Sequence, residues 1–285
     1  MYRPFRRASQ IAVFVAMFVI PLLNLYEIYA VTGTFYAIHV GGLGMADPVV
    51  ILQAIFASGQ LTVPLLGAAL LPVMVALLFG SIWCGWMCPY HLLADVIAWL
   101  RSKIRRNSTN AATTDPLPVP ASFKANIIRY GFLLAGTVAA GVIGIPVLNY
   151  VSAPGIVSTE AMILVKERTV SLEFGFIALL LVLELVLLPR FWCRLFCPTG
   201  AFIALFRIPF TLRVGTKIKT PRAACCKGNS CSSVCPMGLA PYREGANLLC
   251  TNCGRCIDAC KASGGPGNLR FTGFSERGDR SGQTC

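Results

Sequence analysis

Charge is scarce in this sequence: only 13% of its 285 residues are Asp, Glu, Lys or Arg, about half the share of an ordinary soluble domain. With a hydrophobic share of 55%, that shortage excludes a purely soluble globular chain and argues for a membrane protein. Histidine is scarcer still. His39 and His91 are the only two, and neither falls in the middle of an apolar run, which argues against haem held between histidines inside a bundle. No C-x-x-C-H occurs, so covalently attached haem has no support. Glycine-rich dinucleotide and phosphate fingerprints are absent as well, which leaves nicotinamide, flavin and nucleotide chemistry without a site.

Long apolar runs, by contrast, are plentiful. Four approach or reach the roughly 20 residues that a helix needs to cross the hydrocarbon core: 11–31, 63–83, 127–148 and the shorter 174–188. The N-terminal "MYRPFRRASQIAVFVAMFVIPLLNLYEIYA" has the basic start of a signal peptide, but its apolar run is long and no small-residue cleavage site closes it. It reads as a retained span. The net charge of +13 follows the spans and does not point to nucleic acid. Arg3, Arg6 and Arg7 precede the first span, and Arg101, Lys103, Arg105, Arg106 and Lys124 lie between the second and third. Fourteen basic residues follow from Arg190 onward, whereas 33–61 has none and 149–172 has only Lys166 and Arg168. The positive-inside rule then places both termini and the 84–126 loop in the cytoplasm.

The chain repeats itself. "CGWMCPYHLLADVIAWLRS" ends the second span and "CRLFCPTGAFIALFRIPF" the fourth, so each pair of spans closes on C-x3-C-P and an apolar-periodic stretch suited to an interfacial helix. The segment 107–120 has linker composition, and from Gly264 the sequence is Gly- and Ser-rich and expected to be partly disordered. The expected fold is an all-α membrane protein. Residues 1–210 form four transmembrane helices in two span–span–CxxxCP repeats, and 211–285 form a small cytoplasmic ferredoxin-like iron–sulfur domain.

Thirteen cysteines carry the chemistry, and in a reducing cytoplasm dense cysteines more often bind metal than form disulfides. "CTNCGRCIDAC" sets Cys250, Cys253, Cys256 and Cys260 at C-x2-C-x2-C-x3-C, the run that holds iron–sulfur cubanes with its fourth cysteine serving another cluster. Zinc prefers two separated knuckles, so the third cysteine at the same short interval favours iron–sulfur. Upstream, "CCKGNSCSSVCP" supplies Cys225, Cys226, Cys231 and Cys235. Cys235 with its Cys-Pro signature completes the cluster of Cys250, Cys253 and Cys256, and Cys260 is left for a second cluster with Cys225, Cys226 and Cys231. A regular run would put a cysteine at position 228, which is glycine here. The second set therefore stays open between a complete cubane, a three-iron or rearranged cluster, and none. Cys84, Cys88, Cys193 and Cys197 of the two CxxxCP motifs share helical faces and would converge if the repeats pack symmetrically, to bind metal, relay electrons or exchange thiols. Glu27 and Glu184 sit in spans, where an ionisable group is costly and functional by default; each is a candidate to take protons from quinol.

The two CxxxCP motifs, the paired cysteine runs and "ADPVVILQAIFASG" together resemble the NapH family of membrane ferredoxin-type proteins, with its relatives NosR and MauN. The resemblance covers nearly the whole chain, and the short chain with Gly228 also suits a MauN-like protein of methylamine utilisation. It implies electron transfer between the quinol pool and a periplasmic redox system, with periplasmic or membrane redox proteins and lipid as partners. The alternative is an accessory maturation factor that supplies electrons or thiols for another enzyme's cofactor.

Overall fold

The computed structural model describes residues 2–27, 31–34, 36–40, 43–107, 122–186, 189–208, 210–216, 230–241, 247–262 and 269–273. The four apolar runs are all helices: α1 (Tyr2–Leu25), α3 (Val63–Phe79), α5 (Ser122–Ile143) and α7 (Leu172–Val186). Two of them, Tyr2–Leu25 and the Phe123–Ile143 stretch of α5, are long and apolar enough to cross a bilayer on those grounds alone. The other two are shorter.

An all-α architecture is corrected between the first two spans. There β1 (Val31–Thr34), β2 (Ala37–Val40) and β3 (Leu43–Ala46) form an antiparallel sheet, Val31 opposite Val40 and Ala37 opposite Ala46. Its strands are four residues long, and the alternation of Thr32, Thr34 and His39 with Val31, Ile38 and Val40 runs too briefly to stand out as a period of two. Two further helices follow the first span of each repeat: α2 (Pro48–Ser58) and α6 (Ala153–Lys166). Asp47 caps α2 by accepting from Val49 N at 3.0 Å, Pro48 occupies the position where a missing N–H costs nothing, and Gly59 closes the far end at φ 66°.

These half-length helices explain how the repeats join. α1 packs on α6 of the other repeat and α2 packs on α5, while α2 and α6 each also pack on the span that follows them. Close approach of α2 to α5 uses small residues on α5: Ala140 is fully buried, Gly141 faces the backbone of Phe56, and a side chain at Gly136 would run into Leu148. Gln53 of α2 accepts from Leu148 N at 2.8 Å.

Each CxxxCP motif makes the same wide turn. Cys88 N donates to Trp83 O and Cys197 N to Trp192 O, both at 3.0 Å and both across five residues. Pro89 and Pro198 then open α4 (Pro89–Asn107) and α9 (Pro198–Leu205), so Cys88 and Cys197 stand at equivalent helix starts. α4 lies amphipathically as expected, with Tyr90, His91 and Ala94 buried and Trp99 and Ile104 exposed. α9 does not. Its Thr199, Ala201, Ile203 and Ala204 are buried, because it packs against α5 and α2.

The tail is fastened onto this bundle. A short helix α8 (Phe191–Leu195) leads into the second motif, β4 (Arg213–Thr216) pairs antiparallel with β5 (Leu269–Thr272), and α10 (Ser230–Ser233) and α11 (Arg255–Ala262) flank the cysteine loops. Asn252, fully buried, donates to Phe79 O at 3.2 Å and Leu212 O at 2.7 Å, and its own carbonyl accepts from Trp86 Nε1 at 3.0 Å. Asp258 accepts from the backbone N–H of Tyr2 and Arg3 at 3.0 and 2.9 Å. Asp95 of α4 receives three guanidiniums: Arg6 at 3.2 Å, Arg255 at 2.6 Å, and Arg190. Predicted span ends differ by a few residues from the helices; the 107–120 linker, Cys225, Cys226 and the tail from Gly264 lie mostly or wholly outside the described residues.

Two outcomes follow for stability. Asp95→Asn leaves buried guanidiniums without their anion and is expected to cost about 3–5 kcal/mol, read as a lower thermal midpoint of the purified protein in detergent; an unchanged midpoint would show that the cluster is not structural. Gly85→Ala drives a methyl into the backbone of Thr251 and Cys253 and is expected to cost about 1–3 kcal/mol, read as faster proteolysis of the tail.

Candidate functional site

Four of the expected ligands meet. Cys235, Cys250, Cys253 and Cys256 line one cavity whose other walls include Val214, Met237, Leu239 and Pro241. The chain reverses between them because Asn252 (φ 50°) and Gly254 (φ 73°) adopt left-handed backbone. A side chain at Gly254 would press on Tyr2, whose ring meets Phe271 edge-on at 5.2 Å. Cys250 follows a turn in which its N–H donates to Asn247 O at 3.0 Å, and Cys256 opens α11, where the N–H groups of Ile257 and Asp258 both donate to Gly254 O at 3.1 Å.

The donor set fits an iron–sulfur cubane. Burial pushes the thiols of Cys235, Cys250 and Cys256 up, so only a cationic centre would hold them as thiolates. Among the described residues no three Cys, His, Asp or Glu side chains close on a position for a single metal ion. Thiols spread around an apolar hollow suit a polynuclear centre, whereas zinc gathers sulfurs at about 2.3 Å. Cys260 is buried in the α11 core with Val214 and Leu269 and does not border the cavity. Cys231 lies on α10.

Both CxxxCP motifs abut this cavity. Gly85 of the first motif has no room for a side chain because the carbonyl of Thr251 and Cα of Cys253 lie against it. Its own carbonyl accepts from Gln10 Nε2 at 3.0 Å, and Gln10 also meets His91 Nδ1 at 3.1 Å. In the second motif, Leu195, Cys193 and Phe196 pack on Cys235, Met237, Leu249 and Cys250. The four CxxxCP cysteines converge: a Cβ on Gly200 would stand 3.7 Å from Cys84 Sγ and 3.6 Å from Cys197 Sγ, beside the Arg129 guanidinium. Cys88 and Cys197 share one core with Tyr90 and Trp192, against which Cys193 packs.

The two span carboxylates lie apart from the cluster cavity. Glu27 is exposed just past α1, at φ 62°. Glu184 is buried and accepts from Tyr90 OH at 3.0 Å. Three residues that motif reading passes over do more to shape the site: Asn252, Asp95 and Asp47. Asp95 is the only acid between Asp47 and Asp115, and Asp47 precedes Pro48 in the signature of a capped helix start; Asn252 carries no sequence signal beyond its place between cysteines.

Comparison with known proteins bears on the whole chain. Residues 61–107 and 170–217, which hold the two CxxxCP motifs, each match a family model described as a 4Fe-4S binding domain. Residues 207–265 match a 4Fe-4S dicluster domain. The ferredoxin-type protein NapH of Escherichia coli is 29% identical over 231 residues, covering 76% of this chain and 72% of its own. That of Haemophilus influenzae is 28% identical over 258 residues, covering 84% and 78%. The methylamine utilization ferredoxin-type protein MauN of Paracoccus denitrificans is 30% identical over 235 residues, covering 81% and 74%. No solved structure matches. With 30% identity to MauN over most of both chains and iron–sulfur family models matched at both CxxxCP motifs and the cysteine loops, this protein belongs to the family of the ferredoxin-type iron–sulfur proteins NapH and MauN.

Proposed function

We propose that the chain crosses the bacterial cytoplasmic membrane four times, through α1, α3, α5 and α7, with both termini in the cytoplasm, and carries electrons between the membrane quinol pool and a redox partner protein. The distribution of Lys and Arg supports that orientation. Cys235, Cys250, Cys253 and Cys256 hold one [4Fe-4S] cluster in this reading, and Cys260 serves a second set with Cys225, Cys226 and Cys231. Such a cluster supplies reversible one-electron transfer. The protein's own work is to bury it, to seat it on the membrane motifs and to keep water away with Tyr2, Met237 and Phe271.

The observation that carries the reading is the direct seating of Gly85, between Cys84 and Cys88, on the Thr251–Cys253 loop. The backbone of the first motif thus meets the backbone of a cluster-ligand loop with no side chain between them, which supports an electron route from the motif to the cluster. MauN carries methylamine utilization in its name, and the partner assigned here is a comparable periplasmic redox system.

The test is anaerobic purification in detergent with iron and labile-sulfide counts and an EPR spectrum of the reduced protein. Cys253→Ser is expected to lose about four irons per chain while its membrane insertion stays intact; unchanged iron would overturn the ligand assignment. A short-chain menaquinol is expected to bleach the visible absorption of the wild-type protein. Failure to bleach a fully loaded sample that dithionite does reduce would overturn the quinol reading.

A further inference from the structure

A second cavity, of about 330 Å³, opens inside the bundle beside the first CxxxCP motif. Its size falls within the range of small-molecule sites. Apolar side chains from the β-sheet, α3 and α9 make most of the wall, and Leu71 both borders it and stands 54% exposed on the outer face of α3. The opening therefore reaches the surface that lipid covers. Three oxygen-bearing side chains gather at its inner end: Tyr36, Asp47 and Thr199. Trp83 and Met87, immediate neighbours of Cys84 and Cys88, complete that end.

The polar end is built, not incidental. Asp47 is buried, its N–H donates to Tyr36 O at 2.9 Å, and its carboxylate accepts from Val49 N at 3.0 Å and Thr199 Oγ1 at 2.7 Å. Thr199 also lies 3.3 Å from Ser152 Oγ, so the starts of both half-helices, α2 and α6, are tied to one hydroxyl. A buried carboxylate at a helix start, facing an apolar hollow that reaches lipid, suits a lipid-soluble molecule whose polar head presents hydroxyl donors.

We propose that this cavity holds the headgroup of a membrane quinol, with one hydroxyl donating to Asp47, and that Asp47 is the catalytic base of its oxidation. This rests on the quinol reading above and gives it a place. Oxidation of one quinol breaks two O–H bonds and releases two electrons and two protons. The first proton forms an O–H bond on Asp47, which returns it to solvent and accepts the second. A cluster held by Cys235, Cys250, Cys253 and Cys256 would take the electrons one at a time, and the redox partner protein would withdraw the first before the second arrives. Glu184, bound to Tyr90, and the exposed Glu27 do not border this cavity.

Full-length protein, loaded anaerobically and placed in nanodiscs, is mixed with a short-chain menaquinol, and bleaching of the iron–sulfur absorption is timed. Binding of the oxidised short-chain menaquinone is read separately from quenching of tryptophan fluorescence, with Trp83→Phe as the reference. Ala76→Phe, which fills the hollow, is expected to abolish saturable quenching and quinol bleaching. Asp47→Asn is expected to bind the quinone but bleach about 100-fold more slowly. Both should retain wild-type iron and full reduction by dithionite, and Asp47→Asn remains the deciding variant if Ala76→Phe does not accumulate. Wild-type bleaching rates in either iron-replete variant would overturn this site and leave the quinol reading standing. A wild-type protein that neither binds the quinone nor is reduced by the quinol would overturn both.

Discussion

One carboxylate holds the molecule's parts in register. Asp95 of α4 gathers Arg6 of α1, Arg190 at the head of α8 and Arg255 at the start of α11. These come from the first span, the second motif and the cluster loop, so a single anion fixes the N-terminal helix, both repeats and the tail relative to one another. Removing such charges from water is expensive, and the cost is recovered only when geometry and hydrogen bonds are good. The arrangement thus discriminates strongly against any slippage of the tail over the bundle. It also leaves three cations against one anion beneath the loop that carries Cys253, on the side from which negative charge would arrive.

The repeat organises what lies above that layer. Because α1 packs on α6 and α2 on α5, in addition to the helix that follows each half-helix, the cover over each repeat's half-helix is completed by the other repeat. The two wide turns ending at Cys88 and Cys197 follow from the same design. Each brings a sulfur to the start of a helix, where backbone N–H groups favour negative charge. Thr199 lies where the two half-helix starts meet, which is why a residue of the second motif borders a cavity lined mainly by the first repeat.

Much of this was legible in the residues. Hydropathy located the four long apolar runs as helices, the C-x3-C-P recurrence revealed the repeat, and the spacing of Cys250, Cys253 and Cys256 singled out the loop that now shares one cavity with Cys235. The half-helices were not legible as such. Their apolar composition, in runs of 11 and 14 residues, is too short for a span, and periodicity does not say that a chain turns back inside the bundle. Asp47-Pro48 has the form of a capped helix start that motif reading passes over, and nothing local tells that its carboxylate faces Thr199, 152 residues away. The sheet at 31–46 hid behind short strands. Asn252 and Asp95 act through partners from distant segments, and one sequence carries no trace of those pairings.

The contact between the two ends of the described chain bears on how the protein is made. Tyr2 and Arg3, at the head of α1, give their N–H groups to Asp258 of α11, and Tyr2 seats its ring on Phe271. α1 therefore cannot take its final place until α11, 256 residues further along at Asp258, is available to receive it. Docking of the first helix and closure of the cysteine loop are thereby coupled, since Tyr2 also lies against Gly254 between Cys253 and Cys256.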